Sequence, residues 1–217
     1  MERFTSFDFG LSGLAGLFHQ DWTHLGNVEE VVLSYLSVGE ESFADEAQQK
    51  ESTGLASDVV VLADSILAGG QIEMLFSMAS GGNYPFRNGE TGRVLLERIQ
   101  GAFRYWQQMY GGAPVEADPK WSSPGILTEV RSVINHTPLN LPEECRVYFD
   151  SDAQKLRDVL DSCARHASPE LAFRILLRIH LSNFIPVEQS SWSRYKIIAA
   201  ELSLGEELVS AVEFLAH

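Results

Sequence analysis

Cysteine is scarce: Cys145 and Cys163 are the two in 217 residues. A disulfide-stapled scaffold is excluded, and such usage fits a reducing compartment, although one bridge between the two stays open. No apolar run approaches the roughly 18 to 20 residues needed to cross a bilayer. The first residues carry Glu2, Arg3 and Asp8, with no basic segment leading into an apolar one, so no secretory signal is expected. No repeat of fixed period and no Gly-x-Ser-x-Gly nucleophile elbow occur. Gly81-Gly82-Asn83 and Gly89-Glu90-Thr91-Gly92 fit neither a P-loop nor a dinucleotide fingerprint, so they read as turn glycines and no cofactor is expected. Bases are also few. Sixteen Lys and Arg stand against 30 Asp and Glu, a net charge of -14. Such a chain repels a phosphate backbone, so direct nucleic-acid binding is not expected, nor is a membrane partner. A basic partner would be drawn in, while the plainest role of the charge is solubility.

What is present is globular. Hydrophobic residues make up 45% of the chain, enough to build a core. Two glycines and three prolines between Gly111 and Pro124 cannot continue a helix, so 111–124 reads as a linker. It separates a helical domain over 1–110 from a second helical module over 125–217. Asn27 with Glu30 three residues on forms a capping box. Val28, Val31, Val32, Tyr35 and Leu36 then keep to one helical face. Ser52 or Thr53 is expected to cap the next helix, and Gly69-Gly70 to end it. A short helix from Gln71 stops at Gly81-Gly82, and a long amphipathic one runs from Val94 to Tyr110. In the second module Ser151 opens a helix that turns Leu156, Val159, Leu160 and Cys163 inward. Ser168-Pro169-Glu170 opens another. The fold class is all-α, a mainly helical bundle, with room for one short strand pair around Arg146–Phe149.

Chemistry-bearing clusters are sparse. Phe18-His19-Gln20-Asp21-Trp22-Thr23-His24 places two imidazoles and a carboxylate close together, as a metal site or a His–Asp general base would need. Yet His19 and His24 stand five apart, about 140° around a helix of 3.6 residues per turn. No later cluster supplies further ligands. The alternative is structural: Phe18 and Trp22 anchor a core, while His19 and Asp21 make local hydrogen bonds. His180 lies in a very apolar stretch and reads as a satisfied core histidine. Arg87, Arg93, Arg98 and Arg104 do not share a face, so they form no nucleic-acid patch. The acids between residues 28 and 64 are the remaining candidate. Glu29, Glu30, Glu40, Glu41, Asp45 and Glu46 would offer a carboxylate front to a cationic groove. A solvated face is the ordinary fate of such a run.

Leu17-Phe18-His19-Gln20-Asp21-Trp22, followed by a helix rich in Glu and Val, resembles the signature of bacterial contact-dependent growth inhibition immunity proteins. The resemblance extends through Ser57 to Gly70, Gln71 to Gly82 and Arg93 to Trp106, covering residues 10 to 110. It departs at Gly81-Gly82-Asn83-Tyr84-Pro85-Phe86, where the family has a Gly-Cys-Tyr-Tyr-like stretch. The chain is also about twice the family's usual length. The resemblance implies a cytoplasmic non-enzyme that binds the toxic C-terminal domain of an effector and occludes its active site. The partner would be a cognate toxin, often a nuclease with a basic groove. The signature Phe18, His19, Gln20, Asp21, Trp22 would then be a determinant of the fold. Two readings stand beside it: a helical adaptor or regulatory module, and a metal-dependent hydrolase using His19, Asp21 and His24.

Overall fold

A computed structural model describes residues 8–37, 46–110, 124–139, 141 and 153–217. Ten α-helices run through them: α1 Gly10–Gly16, α2 Val28–Ser37, α3 Glu46–Asp64, α4 Gly69–Ala79, α5 Gly92–Tyr110, α6 Pro124–His136, α7 Ala153–His166, α8 Pro169–Ser182, α9 Gln189–Glu201 and α10 Glu206–Ser210. Short 3-10 turns cover Trp22–Leu25 and Glu213–Leu215. The fold is all-α. Among the described residues there is no strand, only one parallel bridge between Val187 and Ala216. The stretch 146–149 and the stretch 111–123 lie outside the described residues.

Helix α8 is the centre. Leu171, Ala172, Phe173, Ile175, Leu176, Leu177 and Ile179 are buried all around it, and a helix with so many apolar positions is stable only when enclosed. It is packed by α1 and α4 from the first half of the chain and by α6 and α7 from the second. Its start follows from local chemistry. The Ser168 hydroxyl accepts from the Leu171 amide at 3.2 Å, and Pro169 occupies the first turn, where no amide is needed. Around this axis α2 lies on α5, α1 on α3 and α9 on α6. The stretches on either side of 111–123 therefore share one core.

The capping box of α2 forms with both bonds: Asn27 N to Glu30 Oε2 at 2.8 Å and Glu30 N to Asn27 Oδ1 at 3.0 Å. Its apolar face is buried at all five positions, and each buried side chain contributes about 1.5–3 kcal/mol of transfer free energy. Two helix ends differ from the sequence reading. Helix α3 starts at Glu46, so Ser52 and Thr53 lie inside it. It stops at Asp64, and Gly69-Gly70 opens α4 instead of closing α3. The cause is tertiary. The Arg93 guanidinium, from α5, donates to the carbonyls of Ala63, Ser65 and Leu67 and closes α3 from outside.

Candidate functional site

The signature lies between α1 and α2. Phe18 is fully buried and meets Trp22, Phe76 and Tyr84 edge-on, with ring centroids 5.0, 5.4 and 5.1 Å away. Tyr84 in turn meets Phe86 at 4.9 Å. Edge-to-face rings place positive edges on negative faces, which favours this arrangement beyond the area it buries. The indole N–H of Trp22 donates to the Asn83 carbonyl at 2.8 Å. The two aromatic residues thus fasten the link between α1 and α2 to α4 and to the loop after it. The polar middle of the signature points outward. His19, Gln20 and Asp21 are exposed, and the Asp21 amide donates to His19 Nδ1 at 3.2 Å. His24 is exposed as well. Among the described residues no group of three or more His, Cys, Asp or Glu side chains could hold a metal ion.

Of the acids of the expected carboxylate front, Glu29 and Glu30 have described side chains. Glu29 is held by Arg98, whose Nε and Nη2 each donate to its carboxylate at 2.7 Å. Those bonds hold the Glu29 carboxyl below its ordinary range. Glu30 is exposed and closes the α2 cap. Glu40, Glu41 and Asp45 lie outside the described residues, and Glu46 is the first residue of α3. Arg98 also donates from Nη1 to Glu90 at 2.7 Å, while the Tyr84 hydroxyl donates to the other Glu90 oxygen at 2.7 Å. Burial, and then the Glu90 carboxylate, push the Tyr84 phenol above its usual range. Arg98 and Arg93 are therefore committed to the fold, which leaves Arg87 and Arg104 exposed from the four arginines of the sequence reading.

Two polar centres lie deep in the core. At the first, Arg174 is 1% exposed. Its Nη2 donates to Asp58 Oδ1 at 2.6 Å, and Nη1 donates to the Phe9 carbonyl at 2.8 Å and the Ser12 hydroxyl at 3.0 Å. Nε faces Glu170 at 3.4 Å, and the Phe9 ring lies 4.1 Å from the guanidinium carbon. Burial opposes this charge, but Asp58, Glu170 and Asp8 more than offset it and keep the group firmly protonated. The second Asp58 oxygen accepts the Leu11 amide at 2.8 Å. That approach requires glycine at position 10. With φ +63° there, a β-carbon would run into the Asp58 carboxylate.

At the second centre His180 is fully buried and its Nδ1 donates to the Ile185 carbonyl at 3.0 Å. In a neutral imidazole Nε2 is then the acceptor, here for the Tyr195 hydroxyl at 3.3 Å. The Tyr195 oxygen lies 3.0 Å from the Thr137 hydroxyl. Burial lowers the His180 pKa and pushes the Tyr195 phenol up to about 12. Cys163, also enclosed, is pushed up to about 12 by burial, so its thiol is inert at neutral pH. Both centres are closed to substrate and hold helices together.

Compared with protein-family models, with curated proteins and with solved structures, the chain gives no match.

Proposed function

We propose that this chain is an immunity protein. It binds the toxic C-terminal domain of a contact-dependent growth inhibition effector in the cytoplasm and occludes its active site. The observation that carries the reading is the signature, Phe18 to Trp22. Its aromatic pair fastens α1, α4 and the Tyr84 loop into one unit, as a residue pattern that defines a fold must do. The net charge of -14 supports it further, because a toxin with a basic groove would be steered to an acidic partner. Occlusion is steric and electrostatic and needs no chemistry from the chain itself.

The test is co-expression with the effector C-terminal domain encoded immediately upstream, in a host that the domain kills. Survival is expected with the full chain and death without it. Complex formation should weaken as salt rises from 0.05 to 0.5 M on the scale of charge screening, about a threefold shorter Debye length. Equal killing with and without the chain defeats the proposal. Complex formation without rescue would favour a regulatory adaptor.

A further inference from the structure

Helices α4, α8 and α9 end with the same hydrogen-bonded cap. The amides of Gly82, Ile185 and Leu204 reach back to the carbonyls of Ser77, His180 and Ala199 at 2.8, 3.0 and 2.8 Å. Each cap needs one residue in the left-handed region, and these are Gly81 at φ +63°, Phe184 at +50° and Ser203 at +55°. Glycine is the usual occupant, because a β-carbon there crowds the neighbouring carbonyl. Phenylalanine is a costly choice, and burial does not compensate it: Phe184 is 73% exposed. An aromatic side chain that is strained and mostly wetted returns little to folding for its backbone cost, and such outliers cluster at functional sites.

The surroundings hold this residue in place. Before it, Asn183 is buried and its amide nitrogen donates to Met78 O at 2.8 Å and Ile179 O at 2.9 Å. Ser182 Oγ donates to Ala79 O at 2.7 Å. After it, Ile185 is buried and its carbonyl accepts a hydrogen bond from His180 Nδ1–H, so the His180–Tyr195–Thr137 chain braces the same turn. A ring on so rigid a base loses little entropy when it is covered, which is the property of a binding anchor. The C-terminal ends of α4 and α8 interlock here, and both present the negative pole of the helix dipole. The exposed run His19-Gln20-Asp21 adjoins through the Trp22–Asn83 bond.

We infer that this end of the bundle is the docking surface for the toxin domain, with Phe184 as its aromatic anchor. The inference rests on the immunity reading and names its contact site. The complementary surface on the toxin is an apolar pocket rimmed by Lys and Arg, matching the ring, the two helix ends and the net charge of -14.

Phe184→Gly separates binding from folding, because the two should move in opposite directions. Relief of the left-handed strain should raise the urea midpoint of the full chain. Loss of the ring should weaken binding of the purified effector domain encoded upstream by about tenfold or more. Phe184→Ala should lose binding without the gain in midpoint. Ile66→Ala is the control: Ile66 is 76% exposed in the connection between α3 and α4, before the other end of α4, and its loss should change the dissociation constant less than about twofold. If wild type binds and Phe184→Gly binds equally well, the docking surface is wrong and the immunity reading stands. If wild type does not bind at all, the immunity reading falls and takes this inference with it.

Discussion

Arg98 and Arg174 each face two carboxylates, yet they occupy opposite surroundings. The Arg98 side chain is 33% exposed, and its partner Glu29 is 39% exposed. The Arg174 side chain is 1% exposed, with Asp58 at 7% and Glu170 at 5%. Their shortest contacts are alike, 2.7 and 2.6 Å. What differs is what remains when one partner is removed. At the rim, water solvates the charge left behind. In the core nothing does, and the orphaned ion must be desolvated without return. The two also span different lengths of chain. Arg98 joins segments of the first half, whereas Arg174 joins residues 116 and 165 positions away and ties α8 to α3 and to the start of α1.

The largest effect therefore belongs to the buried centre. Asp58→Ala should cost about 3–5 kcal/mol in urea unfolding, the range for breaking a buried ion pair by removing one member. The double variant Asp58→Leu with Arg174→Met should recover only part of that loss, because neither ion of the pair is orphaned but buried Glu170 loses its cation and the Leu11 amide its acceptor. A cost for Asp58→Ala below about 1 kcal/mol, the level of a surface pair, would erase the contrast between the two arginines.

Local features were legible in the sequence, and long-range ones were not. The apolar face and capping box of α2 are written within ten residues, and the structure has both. Ser168-Pro169 marks the start of α8 by the same kind of short-range chemistry. Cys163 and His180 sit where the apolar runs around them required. The Asp58–Arg174 pair has no local signal, since its members meet only once α3 and α8 have packed. The Arg93 cap is equally remote, and for that reason Gly69-Gly70 looked like a helix stop when it is a helix start. For the candidate site, spacing pointed to Phe18 and Trp22 as anchors, but nothing in the sequence showed that Glu29 would be taken up by Arg98. Phe184 gave no signal either. A left-handed cap announces itself through glycine or asparagine, and here phenylalanine holds the position.

Acid should separate the interior from the rim. The pKa of His180 is lowered in the fold, so the unfolded chain binds its proton more readily. The corresponding stability is present above the ordinary value of 6.5 and is lost as pH falls below it toward the lowered folded value. Urea midpoints should therefore drop between pH 7 and pH 5. Protonation would also set a cation against the Tyr195 hydroxyl and remove the acceptor it uses. His180→Gln should start lower at pH 7, by about 1–3 kcal/mol for a disturbed buried hydrogen-bond chain, and should flatten that arm. An unchanged slope in the variant would move the acid sensitivity elsewhere.

The smallest effect is expected at Arg98. Arg98→Ala should cost less than about 1 kcal/mol at neutral pH, after allowance for the water that already solvates a group one-third exposed. Glu29 gives this pair its own pH window. Its pKa is lowered chiefly by the Arg98 hydrogen bonds, so the stability they contribute is present above 4.5 and lost as pH falls through the lowered value. That window lies below the one set by His180, and it should vanish in Arg98→Ala. It should also shrink in about 1 M salt, where the Debye length is roughly 3 Å, while the cost of Asp58→Ala should barely change. Salt thus tests the comparison without any further substitution. If both arginine centres weaken equally in salt, then water reaches Arg174, and the enclosed geometry of α1, α3 and α8 does not hold in solution.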